Sequence, residues 1–387
     1  MTDTVAAYDP LDPETLRDPY RVYAALRSAR APLWNERLSS WVLTSYEHCS
    51  AVLQDHAHFA ADWRRAGESV SGPAIDVHTL DPPEHTPIYD ALAKGLRRMA
   101  SPQLVESTRA EVRRLLDGLP DGPVDMVTQF TEPLARWFIP AATGLPPFDL
   151  TVIRPIAEAI TNAMDSGLRP ETRAPGKQAQ GQLAALVDGW VDEIEPGRPF
   201  RTIVDLADEA DVPRQITMNS LRTLVVNGFT AVPASLGNAL LALSQDETLL
   251  PQLATQPALL ERAPHEFFRY EAPIQGTTRL AVEDVEFGGV RVRRGQGMLM
   301  LFAAANRDPA QFADPDRIDL HRWPNRHLSF GQGAHACTGS ILAHIVLREM
   351  LAVLAERRVV LRPTGPARRK PLATVRTLAA LPVEVTS

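Results

Sequence analysis

Cys337 is one of two cysteines in the chain, and it lies in the run HLSFGQGAHACTG, His327 to Gly339. Gly331, Gly333 and Gly339 surround it. Glycine permits positive φ and close backbone approach, so such a loop can wrap a flat cofactor and aim one sulfur at it. The spacing of Ile341, Leu342, Ile345, Met350 and Leu354 predicts a helix with one buried face directly behind. A helix start offers unpaired N–H groups and a positive dipole end, which favour a thiolate over a thiol. A lone cysteine is ordinarily a small buried residue; here the glycine-rich setting argues for a ligand. Upstream, Glu266 and Arg269 stand at i and i+3 and share a helix face. Read alone, that pair is a solvated one of small worth.

The elements that must hold these groups read as mostly helical. Helical segments are expected over 46–53, 102–119, 126–143, 155–165, 177–195, 202–209 and 265–273, and in a long apolar stretch over 213–244. Strand signals fall near 31–44, 277–302 (Met298–Phe302 the last of them) and 359–385, and the first of these reads as a hairpin. Residues 59–80, with Gly67, Gly72 and Pro73, read as a long functional loop. The fold class is mainly α with a small β region, in a single domain over 1–387. Of the 387 residues 44% are hydrophobic, enough for a large core, and the net charge of −7 argues against nucleic-acid binding. Two widely separated cysteines argue against a disulfide framework and fit a reducing cytoplasm. No apolar run reaches a membrane span, and the N-terminal stretch lacks a signal-peptide core, so no membrane association is expected.

FGQGAHACTG, Glu266-x-x-Arg269 and Arg322 ahead of the cysteine loop together resemble the cytochrome P450 superfamily of heme-thiolate monooxygenases. In its signature F-x-x-G-x-[HR]-x-C-x-G, Phe330, Gly333, His335, Cys337 and Gly339 all match. The resemblance runs from Asp18 to the C-terminus and looks bacterial. It implies a heme b held by the Cys337 thiolate, shielded by Phe330, in a fold whose long distal helix crosses the heme. It also implies a buried Glu266–Arg269–Arg322 network holding the loop. His85, Arg279, His327 and His335 become candidates for the heme and its propionates. One departure is Tyr89, where the family usually has arginine four residues after the histidine.

The distal helix departs further. The family shows Ala/Gly-Gly-x-Asp/Glu-Thr there, an acid and an alcohol that relay protons. Aligned on Gly228, this chain has Thr230 in the acid position and Ala231 in the alcohol position. Pro233 lacks an N–H, so a kink or widened turn is expected. The Thr230 hydroxyl then becomes the candidate relay group. By resemblance, substrate contacts come from Trp63, Val226, Phe229, Val232, Ile274, Thr277 and Leu378, a mostly apolar set. The implied activity is oxidation of a small organic substrate, in natural-product tailoring or xenobiotic and aromatic oxidation. Electrons come from a ferredoxin and ferredoxin reductase, with Lys94, Arg97, Arg98, Arg109, Arg113 and Arg114 as a basic docking set. A cytoplasmic monomer is expected. Alternatives are a peroxide-using peroxygenase, a coupling, cyclising or O-demethylating oxidase, a catalytically silent heme-bearing recruitment domain and a redox sensor.

Overall fold

The computed structural model describes residues 8–147 and 149–386. The first seven residues of the N-terminal stretch read above lie outside them. Helix starts follow local chemistry. Asp18 accepts the N–H of Tyr20 ahead of Pro19–Arg27, Ser45 accepts that of His48 ahead of Tyr46–Gln54, and Ser101 accepts that of Leu104 ahead of Pro102–Asp117. Each side-chain oxygen satisfies an N–H that the helix cannot. Proline at the first helical position of two of them costs no hydrogen bond.

The 32-residue helix Arg214–Gln245 runs through the main core, with Leu221, Val225, Leu236 and Leu240 buried. At 1.5 Å per residue it spans about 48 Å. Among the described residues it is the one helix long and apolar enough to cross a membrane. It packs instead against the helices Glu132–Thr143, Leu150–Ala163 and Arg173–Glu193. Behind it lie Ala263–Tyr270 and the apolar helix Ser340–Glu356.

A five-stranded sheet orders Leu33–Asn35, Ser40–Leu43, Gly297–Met300, Thr277–Ala281 and Phe59–Ala60. The expected hairpin pairs Trp34 with Trp41. A three-stranded sheet places Pro382–Thr386 between Pro123–Asp125 and Val360–Pro363.

Several boundaries differ from the sequence reading. The strand expected through Phe302 stops at Met300, and Phe302 opens the short helix Phe302–Ala305. Pro155 lies inside Leu150–Ala163 instead of starting it. A π-helical turn, Val127–Thr131, precedes Glu132–Thr143. The strand Pro123–Asp125 was hidden because its pairing is wholly non-local. At Pro233 the helix continues without a break.

Candidate active site

The cysteine loop is built by its glycines. Gly331 and Gly333 have φ of +65° and +72°. A Cβ on Gly333 would stand 2.5 Å from the Leu53 carbonyl oxygen, so no other residue can seat the loop against the end of Tyr46–Gln54. The Cys337 N–H donates to the Phe330 carbonyl at 2.8 Å, closing the loop on itself. Gly339 caps the helix Ser340–Glu356. The sulfur receives N–H groups from Gly339 and Ser340, as a helix start allows. Burial nonetheless pushes the thiol above its ordinary range, and these donors only oppose that. The helix start alone does not win here. Cys337 lies deep in the molecule, yet its side chain is open because it faces a cavity.

Glu266 and Arg269 are not a surface pair, since both are essentially unexposed. Arg269 donates twice to Glu266, at 2.8 Å each, and to the carbonyls of Asn306, Pro315 and Arg317 at 2.7–2.9 Å. Glu266 also accepts from Arg322 Nε at 3.1 Å, Asn325 Nδ2 at 2.9 Å and the Asp319 N–H at 2.8 Å. Every oxygen lone pair of value is engaged, as a buried carboxylate requires. The network binds the end of Ala263–Tyr270 to the meander that leads into the cysteine loop.

The Cys337 cavity has one apolar wall of Leu92, Leu96, Phe138 and Leu342, and a polar edge of His85, Tyr89 and His335. His335 Nε2 lies 3.0 Å from Asp81 Oδ1. Asp81 also accepts N–H groups from Ala61 and Asp62 and a bond from Arg65, which hold its carboxyl well below the usual range despite burial. The rings of His85 and His335 are 4.4 Å apart. Burial lowers His85 to about 4, so it is neutral near pH 7, and its Nε2 is buried without a hydrogen-bond partner. Tyr89 donates its hydroxyl to the Ala336 carbonyl at 2.8 Å, so its one proton is already committed to the loop. Tyr89→Phe is therefore expected to loosen the loop by about 1 kcal/mol. Thermal unfolding should report the loss while cofactor content stays unchanged. Arg279 does not line the cavity. It donates to the Thr278 carbonyl at 3.0 Å and feels the Asp81 charge.

His327 corrects the sequence reading. It lies outside the cavity lining and packs with His265, Phe268 and Phe330. Thr230 is a second correction. Its side chain lines a different cavity, on the far face of the long helix, and its hydroxyl lies 3.1 Å from that of Thr161. Phe229, Pro233 and Leu378 line that second cavity too. Adjacent helical residues are turned by about 100°, so Thr230 and Ala231 part company. From this helix Ser220, Leu224, Val225, Asn227, Gly228, Ala231 and Val232 line the Cys337 cavity. The Ser220 hydroxyl is committed to the Val77 N–H and the Ile216 carbonyl, so Asn227 is the polar lining residue that matters here, and the sequence reading passed over it. Of the other expected substrate residues, Val226 packs into the core, and Ile274 bridges to Val375. Thr277 lies in the five-stranded sheet, and Trp63 is exposed on a short 3-10 turn.

Comparison with known proteins agrees with this geometry. The family model described as Cytochrome P450 matches residues 251–366, which include the Glu266 network and the cysteine loop. The 20-oxo-5-O-mycaminosyltylactone 23-monooxygenase of Streptomyces fradiae is 30% identical over 372 residues, 89% of this chain and 84% of its own. The chain belongs to the cytochrome P450 family. Cytochrome p450 CYP199A2 of Rhodopseudomonas palustris is 26% identical and aligns over 98% of this chain and 93% of its own. The crystal structure of CalO2 superposes with a TM-score of 0.86 at 28% identity, over 98% of this chain and 99% of that one. This P450 is thus an oxidoreductase whose cofactor is a cysteine-ligated heme b.

The cavity fits that cofactor on its own evidence. A sulfur fed by two N–H donors stands on one side, and apolar side chains form the walls. At the edge, His85 Nε2 is a buried nitrogen without a partner, and in the tautomer protonated there it can donate to a heme carboxylate.

Proposed function

We propose that this P450 is a monooxygenase in which the Cys337 thiolate would hold heme b. The observation that carries the reading is the Cys337 sulfur, held by the N–H groups of Gly339 and Ser340, opening into an apolar cavity roofed by the long helix. When bound, heme b supplies the redox chemistry of dioxygen activation, and thiolate ligation favours O–O cleavage. Phe330 screens the sulfur from water, and the two N–H donors moderate its charge. His85 and His335 hold the carboxylate edge of the cofactor. Glu266, Arg269 and Arg322 keep the loop in one position. Leu224, Val232 and Phe138 exclude water and select an apolar organic substrate. The Streptomyces fradiae relative supports a tailoring oxidation.

Ala231 offers no hydroxyl to the cavity, and the Thr230 hydroxyl points away from it. Asn227 takes the relay role in this reading, holding a water or a substrate hydroxyl at its carboxamide. Asn227→Ala is expected to lower product formed per NADH about tenfold, less than the roughly 10²–10⁴-fold of a direct proton-transfer group because the carboxamide acts through a held water or hydroxyl. It should also shift the spin state of the resting enzyme. Thr230→Ala should leave both unchanged, which reverses the expectation from sequence alignment.

A ferredoxin and its reductase supply the electrons in a cytoplasmic, monomeric enzyme. Of the expected basic set, Arg109 pairs with Glu349, Arg113 with Glu356 and Arg114 with Glu111. That leaves Lys94, Arg97 and Arg98, exposed on the His85–Met99 helix, to meet an acidic partner. The missing acid–alcohol pair favours hydrogen peroxide as a second oxidant. The ferrous–CO spectrum tests the thiolate, since a Soret band without the thiolate-type red shift refutes it. Turnover with ferredoxin and reductase, run against peroxide alone, separates monooxygenase from peroxygenase. Absence of turnover in both, with substrates that shift the spin state, would indicate a silent recruitment domain.

A further inference from the structure

Three histidines outside the Cys337 cavity converge on one point. They are His265, one residue before Glu266; His327, at the head of the cysteine loop; and His344, on the helix behind it. One ring nitrogen from each lies within 4.8 Å of the other two. We propose that His265, His327 and His344 form a binding site for a borderline divalent cation of the zinc type, which braces the segments that carry Cys337.

The donor set suits such an ion. Imidazole is a preferred ligand for zinc, and three protein ligands plus water make a familiar open tetrahedral site. His344 Nδ1 lies 2.7 Å from the Ser340 carbonyl oxygen, which can only accept. The proton therefore sits on Nδ1, and Nε2 carries a lone pair. That carbonyl is also the outer partner that orients a metal-bound histidine. His344 Nε2 lies 3.2 Å from His265 Nδ1. Two nitrogens on one tetrahedral zinc, at about 2.05 Å each, stand about 3.3 Å apart. This pair is already at ligand spacing, and His327, within 4.8 Å of both, has to close by up to about 1.5 Å. Its Nδ1 accepts the Ser329 N–H at 3.3 Å, a long contact to give up when the ring frees Nε2 for an ion.

The three rings are half-buried among aromatic side chains. Phe268 and Phe330 pack on His344, and Trp323 packs on His265. The nearby Arg269 charge is matched by Glu266 at 2.8 Å. The ligands come from three separate segments: the helix carrying Glu266 and Arg269, the start of the cysteine loop, and the helix that begins at Ser340. An ion here ties together the supports of the sulfur without touching the cavity.

The test uses tag-free holoenzyme titrated with zinc sulfate in competition with a chromophoric chelator. One zinc per chain is expected, with affinity falling at least about tenfold in His344→Gln and in His265→Gln. Zinc should raise the melting temperature of the wild-type holoenzyme and not of either variant. Zinc-edge X-ray absorption should show nitrogen and oxygen at about 2.0–2.1 Å and no sulfur. Failure to bind zinc, wild-type affinity retained in both variants, or sulfur in the shell would each overturn the site. If one variant does not fold, the other carries the comparison. A plain hydrogen-bonded histidine pair predicts no zinc dependence of the melting temperature.

Discussion

Cys337→Ser is expected to abolish monooxygenase turnover and to remove the red-shifted Soret band of the ferrous–CO form. The serine hydroxyl keeps nearly the same shape and can still accept the N–H groups of Gly339 and Ser340. The loop closure is a backbone bond from residue 337 to the Phe330 carbonyl and survives the change. The fold should therefore stand, with thermal unfolding within about 1 kcal/mol of wild type. What is lost is the soft anionic ligand and the electron density it lends to O–O cleavage. Heme content, the CO spectrum and turnover together separate this outcome from general unfolding. A variant that keeps both the red-shifted band and turnover would show that another group ligates the iron.

Arg269→Ala is expected to act through the opposite route, by destroying the scaffold. The guanidinium makes two bonds to Glu266 and three to carbonyls, in a place with no water to replace them. Its removal strands Glu266 as a buried charge with Arg322 as the remaining cation. Breaking a buried pair in this way costs about 3–5 kcal/mol. Domains are stable by only about 5–15 kcal/mol, so little folded holoenzyme should accumulate. Arg269→Lys should not restore it, because an ammonium cannot present five donors in a planar fork. Glu266→Gln should also be strongly destabilising, since it leaves Arg269 a buried cation and turns an amide NH2 toward a guanidinium donor that both carboxylate oxygens had accepted. Soluble yield, heme-to-protein ratio and denaturant midpoints rank the three variants.

The cysteine loop and the Glu266–Arg269 pair were legible because their chemistry is local. Glycine spacing and an i, i+3 charge pair survive in a string of letters. The rest of the network was not legible. Asn325, the Asp319 N–H and three meander carbonyls reach Glu266 and Arg269 only through long-range folding. The ion pairs of Arg109 and Arg113 in the basic set were hidden for the same reason, since Glu349 and Glu356 approach them from a distant helix. On the long helix the alignment set Thr230 and Ala231 side by side, but it did not say which face each occupies. A phase argument could have. Asn227 and Ala231 are four residues apart and share a face, whereas Thr230 does not. An asparagine inside an otherwise apolar helical run was the available signal. His265, His327 and His344 were three unremarked letters until folding brought them together.

The long helix has a cavity on each face, one holding Ala231 and the other Thr230. This separates two kinds of evolutionary change. The sulfur side is pinned by backbone closures and a glycine that nothing else can replace, so drift there is lethal. The opposing wall is a register on a helix, and substitutions at 227, 231 and 232 are expected to alter the chemistry without disturbing any anchor of the cofactor, whereas a Cβ at Gly228 would press on Ile139 at 3.0 Å. A lineage can therefore rewrite what the enzyme does to its substrate by mutating a few positions on one helical stripe. Laboratory evolution of new selectivity should begin at those positions and leave residues 266, 269, 333 and 337 untouched.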